Sequence, residues 1–368
     1  MGDEYSAKPT IEKASPPIQS EKPNPKHKFE GHGDPIWNFV FLHDNKHIVS
    51  GSLDGTMRKW DCEAGLLVGE PWQGEGGQIW ALALSPNGNI IACGRNDGSV
   101  QQWNTDGKMI KGVWMGHKER VVSLSWSPGG SHVASGSDDG AILIRKAENG
   151  KVKLGPIETE QNSVYSLAYS PSGDRIASGG YNTIFIWDSN TGELLVGPIK
   201  GLGSYVTSIV WSSDSSKLYS ASDKFARGFD SVSGAELHRF EHNNYVNCVA
   251  LSPKHNVLAC VGYDSVAQLW DTESYQPLGK PLSLADSSYN LHCVSFSRDV
   301  RYLAYSGDDK KITLWMVKDV APALPVSAFT AILQVQGDKL HNRILDPSST
   351  LVVFVRPITD FANSIIIG

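Results

Sequence analysis

Apolar and polar residues alternate along most of this chain in runs too short for helices. From Val121 the segment VVSLSWSP places apolar side chains against small polar ones, the period-two pattern of a strand with two distinct faces. A tight turn follows, often Ser-Pro-x-Gly, as at Pro86-Asn87-Gly88 and Pro171-Ser172-Gly173. Pro and Gly supply the backbone angles such turns require. A second short strand then ends in Ser-Gly, as in HVASGS. A turn carrying Asp leads to a third strand that closes on a Trp-Asp position.

The unit recurs with a fixed step. Trp60-Asp61, Trp103-Asn104, Trp187-Asp188, Phe229-Asp230, Trp270-Asp271 and Trp315-Met316 are spaced by roughly 42 residues, or a multiple of it, and Arg145-Lys146 fills the one gap. Units of this period, each unable to bury its own faces, stack side by side into a closed ring. The expected fold is all-β, a seven-bladed β-propeller over residues 26–317. Residues 1–25 are polar, rich in Pro, Lys, Glu and Ser, and lack periodicity, so they are expected to be a disordered, flexible tail. Residues 318–368 match no repeat. Their LVVFVR and SIIIG segments read as strands that the ring does not need, a C-terminal extension whose role the sequence leaves open.

Composition narrows the function classes. Hydrophobic content of 40% is ample for a core, and the net charge of −6 argues against a general nucleic-acid binder. The five cysteines show no CxxC spacing. Cys93 and Cys260 fall inside predicted strands, where a thiol acts as a small hydrophobe, so no disulfide framework is expected. No apolar run approaches the ~18 residues of a membrane span. No secretory signal is expected from the polar opening. A cytoplasmic setting is expected, with the nucleus as the alternative. MGDEYS fits the Met-Gly-x-x-x-Ser acylation pattern, but Asp3 and Glu4 speak against it and no basic cluster supplies a second anchor. Lipidation of Gly2 stays open.

The segments IVSGSLDGTMRKWD, IASGGYNTIFIWD and VLACVGYDSVAQLWD resemble repeats of the WD-repeat family. The likeness covers residues 26–317. The linker NTGELLVGPIKG is also similar to tandem repeats appended to fungal incompatibility proteins, although no GxxxxGK[ST] phosphate loop is present. The resemblance implies that the strand around Lys28-Phe29-Glu30 completes the last blade and closes the ring. It also implies a buried structural network of His, Ser or Thr, turn Asp and Trp. The first blade offers His32, Ser50, Asp54 and Trp60. The third offers His117, Ser135 and Asp139, with Arg145 in place of Trp. The sixth offers His242, Asp264 and Trp270, with Cys260 at the hydroxyl position. Asp97, Trp103, Trp187, Asp309 and Trp315 are the members expected in other blades. Tyr181-Asn182 occupies the turn of the fourth blade, and Asp223 and Lys224 compete for that of the fifth. A His-Asp-Ser trio also invites a nucleophilic reading, but its repetition behind several turns favours a structural one. The 11 His residues are scattered, with His43 and His47 a close pair on a loop and strand start, so neither metal nor cofactor is expected.

Finally, the resemblance implies three variable positions per blade on one face, the top. They flank the first apolar residue of the innermost strand and precede the turn Asp. These slots hold Tyr165, Tyr181, Tyr205, Tyr245 and Tyr263 over blades four to six. Trp37 and Trp80 lie across the ring, with Arg95 and Arg120 beside them. Tyr and Trp combine large contact area with a polar handle and are enriched at binding hot spots. The expected function is a non-catalytic protein-interaction scaffold, monomeric by itself, that binds a peptide or domain on this face. One alternative is a propeller enzyme using the central channel, for which only Asp138, Asp223 and Asp308 lie near the centre. The other is a chromatin- or RNA-associated adaptor, for which Arg95 and Arg120 would be the contacts. No membrane partner is expected.

Overall fold

Every repeat folds into a four-stranded antiparallel sheet, and there are seven sheets among the described residues. The computed structural model of the chain describes residues 23–253, 256–283 and 289–322. The side chains of Lys111 and Asp264 fall outside that set. Residues 1–22 of the expected tail and the extension from residue 323 onward therefore lie outside the described residues, as does the side chain of Asp264 in the expected network. The chain divides into two units, Met1–Leu324 and Pro325–Gly368, and the described residues belong to the first.

The inner strands are Ile36–Phe41, Ile79–Leu84, Val121–Trp126, Ser166–Tyr169, Ser208–Trp211, Val246–Leu251 and Leu291–Phe296, for blades 1 to 7. Because side chains alternate along a strand, each sheet sends apolar residues to both neighbours. The core therefore forms as layers between consecutive blades. One such layer takes Ile184 and Ile186 from blade 4 and Ile209, Leu218 and Phe229 from blade 5, all at most 5% exposed.

Turn chemistry fixes the upper hairpins. Asp54, Asp139 and Asp223 each accept a bond from the backbone N–H two residues on, at 2.8–3.0 Å. The glycines that follow in the first three blades have φ near +80°. A side chain there would also strike the incoming loop of the next blade: a Cβ on Gly140 would lie 2.3 Å from the Gln161 carbonyl oxygen. In blade 5, Ser222 pairs directly with Phe225, so Asp223-Lys224 is a two-residue turn and Asp223 is its acceptor. Blade 4 turns at Asn182, whose φ is +55° and whose side chain accepts from Leu202 and Gly203.

The ring closes as the repeat register requires. His27–Phe29 pairs with Ile312–Met316 to complete blade 7, with His27 opposite Leu314 and Phe29 opposite Ile312. Phe29 is 1% exposed and packs on Trp60 of blade 1 at 5.5 Å. Glu63 ties the same seam. It accepts from Lys26 at 3.0 Å, Arg301 at 3.1 Å and the Tyr302 hydroxyl. Beyond the last strand, a single turn of helix, Val317–Val320, buries Val317 and Val320 against the layer between blades 6 and 7.

Candidate functional site

The buried networks differ from blade to blade. In blade 1 the relay is complete. His32 Nδ1 contacts Asp54 at 2.8 Å, His32 Nε2 meets Ser50 Oγ at 2.8 Å, and Trp60 Nε1 donates to the same Oγ at 2.8 Å. Burial alone would raise the Asp54 carboxyl, but bonds from His32 and Thr56 hold it well below the usual range. Blade 3 keeps His117, Ser135 and Asp139. Arg145, at the Trp position, is itself 4% exposed and donates to the carbonyls of Met115 and Gly150. Ser50 and Ser135 are at most 1% exposed, so no substrate reaches either hydroxyl, and the trios serve as structure.

Elsewhere the expected members are replaced. In blade 4 Gln161 takes the His place: Ser178 Oγ donates to it at 3.1 Å and receives the Trp187 indole N–H at 2.9 Å. In blade 5 the buried Arg227 pairs with Asp223 at 2.8 Å. Asp97 and Trp103 belong to no relay, because blade 2 has the exposed Glu75 where the His would stand and Cys93 at the hydroxyl position. The Trp103 indole N–H finds no protein partner among the described residues, and Asp97 only caps its own turn. In blade 7, among the described residues, Asp309 likewise bonds only within its turn, and the Trp315 N–H meets no hydrogen-bond acceptor. Gln161 and Arg227 carried no sequence signal, since neither type belongs to the repeat.

In blade 6, with Cys260 in place of Ser, the Trp270 indole N–H donates straight to His242 Nε2 at 3.2 Å. That bond requires a neutral ring. Burial lowers His242 from its ordinary value to about 4, and burial also lowers His117 against the pull of Asp139. A histidine with a depressed folded-state value contributes its full stability above the unfolded value near 6.5. That contribution is lost as pH falls from there towards 4. We expect His242 to cost about 2 kcal/mol of stability between pH 7 and pH 4.5. His242→Gln, which copies blade 4, should flatten the slope of melting temperature against pH. An unchanged slope would show that His242 is not the titrating group.

At the top, where the inner strands begin, a cavity of about 460 Å³ opens into the channel. Each blade contributes the residue after its first apolar position: Trp37, Trp80, Val122, Tyr165, Thr207, Asn247 and His292. Arg120, Tyr263, Asn290 and Asp308 complete the wall. Blades 7, 1, 2 and 3 form a continuous chain of contacts. His292 bonds Asp308 at 2.7 Å and stacks on Trp37 at 4.0 Å; Trp37 meets Trp80 edge-on at 4.8 Å. The Arg120 guanidinium lies 4.2 Å over Trp80 and pairs with Asp138.

The tyrosines occupy the other half in two groups. Tyr205 packs on Tyr165 at 5.0 Å and Tyr181 at 5.1 Å, and Tyr245 lies 5.5 Å from Tyr263. Tyr165 and Tyr263 line the mouth; Tyr205 and Tyr245 reach it only by packing on these two, and Tyr181 by packing on Tyr205. Tyr181 is 58% exposed, Tyr205 and Tyr245 48%, and Tyr263 40%. One expected contact is corrected. Arg95 is completely buried, donating to the carbonyls of Gly55 and Gly77 and to Gln101, and cannot reach a partner. Trp80 is also largely covered, by Arg120 and Trp37.

A larger groove of about 760 Å³ runs at the opposite end between blades 2 and 3. Its walls are mostly the turns at Pro86 and Pro128–Gly130, and the Trp126 indole N–H is committed to the Ala83 carbonyl. Among the described residues, no three His, Cys, Asp or Glu side chains are grouped to hold a metal, and no helix is long and apolar enough to cross a membrane.

Comparison with known proteins agrees with this architecture. Residues 23–61, 153–188, 195–230, 234–271 and 280–316, together more than half of the chain, match the family described as WD domain, G-beta repeat. Residues 82–154 match the anaphase-promoting complex subunit 4 WD40 domain. Small ribosomal subunit protein RACK1z of Oryza sativa subsp. japonica is 35% identical over 92 residues, 23% of this chain and 26% of that protein. RACK1 of Glycine max is 36% identical over 74 residues, 20% of this chain and 21% of its own length. WD repeat-containing protein 1 of Xenopus tropicalis is 26% identical over 153 residues, 40% and 24% of the two chains. The matched stretches thus span only 21–26% of these relatives. On the seven sheets, the closing strand and these repeats, the chain belongs to the WD-repeat β-propeller family.

Proposed function

We propose that this ring is a non-catalytic scaffold that grips a peptide segment or a domain of a protein partner across its top face. The observation that carries the reading is the exposure, at 40–58%, of Tyr181, Tyr205, Tyr245 and Tyr263, of which Tyr263 lines the mouth and Tyr205 packs on Tyr165, which also lines it. Four rings held in solvent at or beside a concave mouth are poorly explained by packing and well explained by burial in a partner. Tyr165, Trp37, Trp80 and Arg120 form the floor and far wall of the same site. The partner is a protein and the ring acts as a monomer in the cytoplasm.

The two alternatives draw less support. An enzyme would need carboxylates free to exchange protons, whereas Asp138, Asp223 and Asp308 are engaged with Arg120, Arg227 and His292. A nucleic-acid adaptor would need free cations, whereas Arg95 is buried and Arg120 is paired.

The test separates binding from folding. Partners recovered with the intact chain are titrated against Tyr205→Ala and Tyr245→Ala. Truncating a true anchor costs ~2 kcal/mol or more, so affinity should fall more than about tenfold. Exposed substitutions usually stay within ~0.5 kcal/mol of stability, so the melting curves should not move. Loss of binding only in proportion to unfolding would make the tyrosines core and shift the face to Trp37, Trp80 and Arg120.

A further inference from the structure

The bonding state of the mouth says which chemistry it takes. Both side chains lining it that can carry positive charge are already committed: Arg120 to Asp138 and Trp80, and His292 to Asp308 and Trp37. The acceptors are not. Among the described residues, Asn290 lines the wall with no side-chain bond, Asp308 uses only Oδ1, and Asn247 donates through Nδ2 to the Leu291 carbonyl while its oxygen accepts nothing. Thr207 has given its hydroxyl proton to the Asn247 carbonyl and can only accept. Tyr165 of blade 4 and Tyr263 of blade 6 line the same mouth as these acceptors. An anion entering here finds no free donor cation. A cation finds open oxygens and aromatic faces, the two groups that hold ammonium or guanidinium heads.

The loops around the mouth point the same way. Glu75, Glu119 and Glu160, on the loops entering blades 2, 3 and 4, are exposed and form no ion pair among the described residues. Most cations of this face are spent: Lys224 on Glu241, Lys310 on the Gly33 carbonyl and Lys311 on Glu30. On the three glutamate loops Lys118 is the one unpaired cation among the described residues. The unspent charge of the loops is therefore acidic, and a partner approaching them meets that field.

We propose that the occupant of the mouth is a lysine or arginine side chain from a basic peptide segment. Its cationic head sits between Tyr165 and Tyr263 and bonds Asn290 and the free oxygen of Asp308. Neighbouring basic residues of the segment face Glu75, Glu119 and Glu160. This assignment rests on the top-face reading above and specifies its partner chemistry.

The test uses the full chain and a random-sequence peptide library displayed on phage, selected at low and at physiological salt. Selected peptides should carry a net positive charge with Lys or Arg fixed at one position. In synthetic peptides, replacing that Arg by citrulline or that Lys by acetyl-lysine keeps the length and removes the charge, and should weaken binding about tenfold or more. This change leaves the protein untouched, so misfolding cannot produce it. Asp308→Asn should weaken the charged peptide and spare the citrulline one, and the triple change Glu75→Gln, Glu119→Gln and Glu160→Gln should remove most of the salt dependence. Peptides that are acidic or uncharged, a selection that yields no binder, or a citrulline peptide binding as tightly as its parent would overturn the assignment. If uncharged peptides still lose binding to Tyr205→Ala, the top-face reading stands and only the charge chemistry fails. If binding ignores every top-face change, both fail.

Discussion

Deleting residues 1–30 should lower the melting temperature by about 10 °C or more, while deleting residues 1–24 should leave it in place. The difference between the truncations is the strand His27–Phe29. Phe29 is 1% exposed in the layer that also holds Phe39, Trp60, Tyr302 and Leu314. Removing a buried aromatic of this size costs ~3–5 kcal/mol. The backbone ladder to Ile312–Met316 goes with it, so the third strand of blade 7 becomes an open edge. The ion pairs Lys26–Glu63 and Lys311–Glu30 are lost from the longer truncation too, but exposed pairs of this kind add little. Blade 1 would still touch blade 7 through Ser306 and the Ile36 carbonyl, so the ring loosens at one seam rather than dissolving. Phe29→Ala should reproduce most of the loss in calorimetry. Equal melting temperatures for the two truncations would mean that the seam is held without this strand.

The fold was legible because the repeat writes the same instructions seven times. The Trp-Asp spacing, the Ser-Pro-x-Gly turns and the turn aspartates each specify a local geometry, and the ring follows from stacking them. The departures were illegible because they depend on neighbours far away in sequence. Arg95 reads as a surface cation beside a variable slot. It is buried because Gly74, on another loop, has no side chain: a Cβ there would lie 2.6 Å from the Arg95 guanidinium. Gly116 makes the same room for Arg145, which therefore is a packed, bonded residue and not a tolerant gap in the pattern. Gln161 replaces a histidine without belonging to the repeat. At the candidate site, one slot from each blade lines a single mouth. What the slots could not show is that Arg120 and His292, from blades 3 and 7, have already claimed the two tryptophans. Such pairings join side chains whose positions are set by adjacent blades, and no local pattern records them.

Trp60→Ala should be the most damaging single substitution of the first blade, at ~3–5 kcal/mol, and the reason can be isolated by comparison with Trp103. Both indoles are 3% exposed, so truncation of either leaves a cavity of similar size. They differ in what the N–H does. Trp60 donates to Ser50 Oγ, which is also held by His32 and through it by Asp54. Trp103 stacks on Trp72 at 6.4 Å, and its N–H has no partner among the described residues. Substitution by Phe keeps most of the ring and removes only the N–H. At position 60 it deprives a buried hydroxyl of its donor, which costs about 1 kcal/mol or more beyond the lost volume. At position 103 it removes a buried donor that was already unsatisfied, which offsets part of the lost volume. Chemical denaturation of the four variants should thus show similar losses for the two Ala changes and a clearly larger loss for Trp60→Phe than for Trp103→Phe. Arg145→Ala belongs with the damaging group, at about 2 kcal/mol, because it vacates a buried site and strips donors from two carbonyls. Equal Phe losses at positions 60 and 103 would show that the His-Asp-Ser relay contributes nothing to stability and that volume alone holds the blade.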